Sequence, residues 1–187
     1  INGDLLGSKF GIWEGGHRVP FIAWWPGKIK AGTVSDQMLI SVDLKATFAA
    51  VVGEELSDDE KKDSINMLPA LTSEPDQPLR TEMVVTPHKP SHMGVRKGKW
   101  MYIPARSDGG FRGSKPEEHA WGGAAVATLV GTPNSDIADG KIKKEAPPAQ
   151  LYDLVADMNQ TKNLFNENPE VVKQMKALLE QYKKGEK

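Results

Sequence analysis

Gly11-Ile-Trp-Glu-Gly-Gly-His-Arg-Val-Pro-Phe21, directly preceded by Gly7-Ser8-Lys9-Phe10, crowds demanding chemistry into one short segment. Adjacent glycines let a backbone take positive φ or approach another group closely. Here Gly15 and Gly16 are boxed in by the Glu14 carboxylate, by His17 and by the permanently charged Arg18. Chain ends fray unless something ties them down, so a motif this dense beside Ile1 is expected to come from the interior of something larger. The run Arg18 to Trp25 that follows, RVPFIAWW, is almost continuously apolar and is closed by Pro26-Gly27. That pattern predicts a strand buried on both faces, as in the middle of a parallel sheet.

Working outward, Asp43 is placed to cap a short helix carrying Leu44, Phe48, Val51 and Val52 at helical spacing, with Gly53 at its stop. Residues 1–62 therefore read as the closing strand and helix of an α/β domain, and 63–187 as a second, smaller subdomain. Between them lie an acidic and lysine-rich surface run from Glu54 to Asp63 and a short apolar turn or helix, Ile65 to Leu71. In the second part, Glu82 to Thr86 is strand-like, and His92 to Ile103 reads as two strands joined by a tight turn around Lys97-Gly98. Pro104 to Pro148 is glycine- and alanine-rich, too long and too weakly periodic for an ordinary connection. Leu151 to Leu154 predicts a last strand. Asn168-Pro169 opens a terminal helix with Val172, Met175, Leu178, Leu179 and Tyr182 on one stripe. The fold class expected is α/β, or α+β for this segment: the end of a mainly parallel sheet, then a small antiparallel sheet packed by a C-terminal helix. Trp24, Trp25, Phe48, Trp100 and Tyr152 are expected in a core or a layer interface.

A formal charge of -1 and a pI near 6.5 over 187 residues exclude a general affinity for nucleic acid or anionic membrane, which need a concentrated basic surface. With no cysteine, disulfides, thiolate metal sites and a cysteine nucleophile are absent from the segment. No apolar run approaches the roughly 20 residues needed to cross a bilayer, and no secretion signal leads the chain.

Lys9 with Glu14-Gly15-Gly16, then Arg18-Val-Pro20 and Trp25-Pro-Gly27, resembles the signature near the end of the catalytic domain of the sulfatase family. The resemblance continues in order through Val34-Ser-Asp36, Asp43-Leu44, Leu68-Pro69, Val95-Arg96 with Gly98-Lys-Trp100, and Leu151-Tyr-Asp-Leu154 with Asn163-Leu164. Each motif alone is weak and the ordered set is specific. It implies the fold just described. It also implies a sulfate-ester hydrolase of the arylsulfatase-like type within the alkaline phosphatase superfamily, exported to a periplasm or secreted, acting on a sulfated carbohydrate or aryl ester.

The family nucleophile is a Cys or Ser, in a Cys/Ser-x-Pro-x-Arg motif, converted to formylglycine, and the family metal is usually calcium held by aspartates and an Asp-Asn pair. Neither nucleophile motif occurs here. Asn2-Gly3 lacks the preceding aspartate, so it reads as the loop after the pair. The segment is thus expected to be the C-terminal portion of a sulfatase, with nucleophile and calcium ligands upstream, and to be inactive alone. By the resemblance Lys9 contacts the sulfate group and helps to stabilise the leaving oxygen, a role suited to a fixed cation. Glu14 and Arg18, four apart, are expected to form an ion pair that fixes the loop around Gly15 and Gly16. His17 is either a sugar-hydroxyl donor or a structural histidine.

His88 and His92 form a close pair, but a loop broken by two prolines does not hold them on one helical face and no third ligand stands beside them. A rim position against substrate suits His88 better. Arg106, His119 and Trp121 are candidates for further subsite contacts, an arginine holding a second anion and a tryptophan stacking on a sugar face, with a plain glycine-rich loop as the alternative. Competing functions are a phosphatase or phosphonate hydrolase of the same superfamily, and a non-catalytic carbohydrate-binding or assembly module. An apolar sheet face left exposed around Val19 to Trp25 would mark a surface for association.

Overall fold

The computed structural model describes residues 2–110 and 122–185. Its helices are α1 (Glu14–His17), α2 (Asp43–Val52), α3 (Asp58–Lys61), α4 (Leu68–Thr72), α5 (Gly123–Leu129) and α6 (Pro169–Lys184). Its strands are β1 (Glu82–Val85), β2 (Gly94–Lys97), β3 (Trp100–Ile103), β4 (Ile137–Ala138), β5 (Lys141–Ile142) and β6 (Gln150–Asp153). The chain divides into two compact units, residues 1–19 with 84–187, and residues 20–83.

The first unit is built on a four-stranded sheet in the order β1-β2-β3-β6. β2 and β3 pair antiparallel, Lys97 facing Trp100, so that Gly98 and Lys99 make the turn, Gly98 at φ 53°. Only a residue without Cβ adopts that conformation cheaply. β6 lies antiparallel on the other side of β3, with Met101 opposite Tyr152. Side chains alternate between faces of a strand, and the burial follows. Met101, Ile103 and Tyr152 pack on one face with Leu6, Ile12, Trp13 and Ala127. Val95, Tyr102 and Leu151 pack on the other with Met175, Leu178 and Leu179 of α6. Pro169 occupies the first turn of α6, where its missing N–H costs nothing, and Gly185 ends the helix at φ 70°. The hairpin, the last strand and the terminal helix match the pattern legible in the sequence.

Residues 20–83 hold α2, α3 and α4. α3 begins with a capping box: the Ser57 hydroxyl accepts from Glu60 N, while Glu60 Oε2 accepts from Ser57 N at 3.0 Å. Contrary to the sequence expectation, Asp43 does not cap α2: it is the first helical residue, Val42 holds the N-cap position, and no side chain makes a capping hydrogen bond there. Asp43 is fully buried, its carboxylate accepts from Ile40 N at 3.1 Å and Ile65 N at 2.9 Å, and Arg80 donates to both its oxygens, with Nε to Oδ2 at 2.9 Å. Thr47 extends the framework: its hydroxyl donates to Asp43 O and accepts from Met67 N.

Three further expectations need correction. Arg18 to Trp25 forms no strand; it is chain without a ladder, with Val19, Ile22 and Trp24 among its most exposed residues. A parallel strand needs neighbours to satisfy its N–H and C=O groups, and none of the described strands pairs with it. The apolar surface expected there is present, as exposed chain rather than a sheet face. Trp24, Trp25 and Phe48 are likewise outside the described core, whereas Tyr152 is fully buried. Pro104 to Pro148 is not all loop, since it contains α5 and the β4–β5 ribbon. That ribbon turns on Asp139 and Gly140, both at positive φ, the dipeptide that favours such a turn.

Candidate functional site

The segment from Leu5 to Arg18 is anchored by Leu6, Ile12 and Trp13, all buried against the sheet. Trp13 Nε1 donates to Gln150 Oε1 at 2.8 Å, and the same oxygen accepts from Tyr152 OH at 2.7 Å. Burial pushes the Tyr152 hydroxyl well above the usual phenol range, so it stays protonated and available as a donor. Lys9 and Phe10 therefore project from a turn whose two ends are fixed.

The glycine pair works by close approach. A Cβ on Gly15 would lie 2.7 Å from the carbonyl oxygens of Leu6 and Gly7, and one on Gly16 would lie 2.2 Å from Gly11 O and 2.7 Å from Ser8 O. α1 is thus pressed against the backbone of the Lys9 turn, and Gly15 N donates to Leu6 O at 2.8 Å.

Glu14 is fully buried at the start of α1, and its backbone N donates to Gln160 Oε1 at 2.8 Å. Arg18 Nε donates to Glu14 Oε2, and His17 Nε2 lies 3.4 Å from Glu14 Oε1. Burial would raise the Glu14 pKa, but His17 and Arg18 outweigh it and hold the carboxyl below its ordinary value of 4.5. Arg96 of β2 shares this field: burial lowers its pKa, the Glu14 charge opposes that, and Arg18 adds to it.

A group whose folded pKa is depressed adds stability that is complete above its unfolded pKa and is lost as pH falls through the folded value. Glu14→Gln should therefore flatten part of the acid limb of the stability profile below about pH 4.5. Asp153, also depressed through its hydrogen bond from Lys99, should leave a residual slope. Chemical denaturation at a series of pH values checks this; an unchanged acid limb would show that Glu14 titrates normally.

Beside the Lys9 turn lies the loop 86–92. His88 N donates to Phe10 O at 2.9 Å, and the His88 ring meets the Phe10 ring edge-on, centroids 6.2 Å apart. Lys9 Nζ lies 5.6 Å from the Phe10 centroid. Lys89 N donates to Gly109 O at 2.8 Å, and His92 is held between hydroxyls, Nε2 with Ser107 Oγ at 3.1 Å and Nδ1 with Ser91 Oγ at 3.2 Å. Asp108, fully buried, closes the cluster: its carbonyl accepts from Ile12 N, and its carboxylate from Gly110 N and Gly123 N.

Of the residues singled out in the sequence, Lys9 and His88 come together on the Phe10 ring, and Glu14, His17 and Arg18 form one cluster in which the Glu14 carboxylate is buried, His17 is half-buried and Arg18 is exposed. Arg106 is exposed and reaches Lys144 O at 3.5 Å. His119 and Trp121 lie outside the described residues. Among the described residues no group of three His, Cys, Asp or Glu is arranged to hold a metal ion. Sequence reasoning missed Phe10, Asp108 and Gln160. Asp108-Gly-Gly was a turn signal, but nothing in the sequence pointed to Gln160.

No family model matches the chain. It is 31% identical, over 97% of its length and 30% of the relative's, to the N-acetylgalactosamine-6-O-sulfatase of Bacteroides thetaiotaomicron. The chain is a sulfatase homologue. The porcine N-acetylgalactosamine-6-sulfatase is 44% identical over 70 residues, 37% of this chain and 13% of that one. A solved structure from work on the metabolism of multiple glycosaminoglycans by Bacteroides thetaiotaomicron superposes with a TM-score of 0.67 at 26% identity, over 97% of this chain and 32% of that one. These homologues are sulfuric ester hydrolases by name, and this sulfatase homologue spans 30% of the length of the Bacteroides relative and 32% of that solved chain. No described helix is long and apolar enough to cross a membrane.

Proposed function

We propose that this chain is the C-terminal portion of a sulfatase that hydrolyses a sulfate ester, with Lys9 as the cation facing the sulfate group. The observation that carries the reading is the Lys9 turn itself: a lysine at the tip of a segment pinned by Trp13, Gly15, Gly16 and the Glu14–Arg18 pair, whose carboxylate is buried while its guanidinium is exposed. A lysine held this way offers charge to sulfate oxygens and to a departing alkoxide without the reorganisation that water would need. We place a calcium ion and the formylglycine nucleophile in other parts of the longer protein, because this sequence has neither a Cys/Ser-x-Pro-x-Arg motif nor an Asp-Asn pair before Lys9.

The exposed Ile22 and Trp24 support that division, being surface that a longer polypeptide would cover. The division at 62/63 remains our reading for that whole protein, with export to a periplasm or secretion. Sulfated carbohydrate is the favoured substrate class, because a relative matched over 97% of this chain is named for N-acetylgalactosamine 6-sulfate. His17, His88, Arg106, His119 and Trp121 are proposed to lie toward substrate.

The test is a titration of the 187-residue chain with inorganic sulfate, followed by NMR at the Lys9 ammonium. Sulfate should shift the Lys9 resonance, and Lys9→Ala should weaken binding about tenfold, the scale of one charge-assisted contact. The chain alone should not turn over an aryl sulfate. Either measurable turnover, or a Lys9 resonance blind to sulfate, overturns the assignment.

A further inference from the structure

Phe10 has φ 75°, a left-handed conformation that a bulky side chain rarely adopts and glycine takes freely. The ring is 49% exposed and belongs to neither of the described hydrophobic clusters. A large apolar group kept half in water, on a backbone that would be more comfortable without it, points to use rather than to folding. The ring stands in a defined place. Lys9 Nζ lies 5.6 Å from its centroid, the His88 imidazole meets it at 74°, and Phe10 O is fixed by His88 N. The backbone on either side is pinned by Gly11 N to Ser8 O and Ile12 N to Asp108 O. The ring is therefore oriented from both directions.

Resting on the assignment of Lys9 to the sulfate group, we infer that Phe10 is a specificity-determining residue: its ring is the platform on which the sugar ring of a sulfated carbohydrate lies. A sulfate ester joins an anionic head to a ring a few bonds away. Lys9 and Phe10 offer a cation and an apolar face in the same juxtaposition. The carbon face of a pyranose stacks on an aromatic ring by dispersion and C–H contacts, and the ring quadrupole favours the polarised C–H bonds. His88, edge-on to the ring, holds the platform's angle and leaves its imidazole beside the hydroxyls of a bound sugar.

The experiment compares two probes, inorganic sulfate and N-acetylgalactosamine 6-sulfate, titrated against the 187-residue chain and its variants by NMR. The sugar sulfate should bind more tightly than sulfate, with upfield ring-current shifts on sugar protons. Phe10→Gly suits the backbone, so the fold should be kept or stabilised; it should cost the sugar sulfate about tenfold in affinity, the scale of one aromatic stacking contact, and leave sulfate unchanged. Phe10→Tyr should restore the preference. If Phe10→Gly weakens both probes equally, Phe10 only positions Lys9 and the platform is overturned. If it weakens neither, the platform is overturned while the Lys9 reading stands. If Lys9→Ala leaves both probes unaffected, or wild type binds neither, the underlying assignment falls as well.

Discussion

Arg80→Met is expected to cost about 3–5 kcal/mol and to unfold the unit formed by residues 20–83. The reason is the partner left behind. Asp43 is 0% exposed, and Arg80 supplies hydrogen bonds to both its carboxylate oxygens while also reaching Glu82 O and Asp63 O. Without the guanidinium a buried carboxylate keeps, among the described residues, only the N–H groups of Ile40 and Ile65, too little to replace its hydration. Asp43→Asn combined with Arg80→Met should recover part of the loss, because an amide still accepts from one of those donors and carries no charge. Urea unfolding with amide exchange read in α2 and α4 makes the measurement. A single variant within about 1 kcal/mol of wild type, the range of surface pairs, would show that the pair is not what holds this unit.

Asp43 also shows where sequence reading reaches its limit. A carboxylate before an apolar helical stretch signals a helix start, and α2 does begin there. Its partner Arg80 lies 37 positions along the chain, and no local pattern links the two. The hairpin β2–β3 and helix α6 were legible because their signals are local: alternation across Lys97-Gly98, and an apolar stripe at helical spacing between a proline start and a glycine stop. The stretch from Arg18 to Trp25 carried an equally strong local signal and forms no strand, because a strand is a property of a pair and its partner strands are not among those described. α5 was hidden by its own composition, Gly-Ala-Ala-Val-Ala-Thr-Leu, whose small side chains give little contrast between faces. At the candidate site the ion pair between Glu14 and Arg18 was legible from their opposite charges four positions apart, flanking the glycine pair. Phe10 and Gln160 escaped because what marks them, a positive φ and a buried amide oxygen, is invisible without coordinates.

Gly16→Ala should be the most damaging single change at the Lys9 turn. The added methyl would sit 2.2 Å from Gly11 O, 2.7 Å from Ser8 O and 2.8 Å from Gly11 C, all backbone atoms. A clash with the far end of a flexible side chain is relieved by a rotamer change; here the chain itself must move. Gly11 cannot retreat freely, because its own Cα hydrogens already face the Asp108 carboxylate, where even a Cβ would fall 2.5 Å from Oδ2. Asp108 in turn holds Ile12 N and Gly123 N. Overpacking a site with no slack costs on the order of 3 kcal/mol, and the cheapest escape is to push the Ser8-to-Gly11 turn outward, carrying Lys9 and Phe10 with it. Stability should fall by that amount and sulfate affinity should fall with it, whereas Gly98→Ala, with open space around its Cβ and only an unfavourable φ to meet, should cost about 1 kcal/mol and leave sulfate binding intact. Were Gly16→Ala to bind sulfate as wild type does, α1 would not be the element that positions Lys9, and the burden of fixing that turn would pass to Trp13 and the His88 N to Phe10 O hydrogen bond.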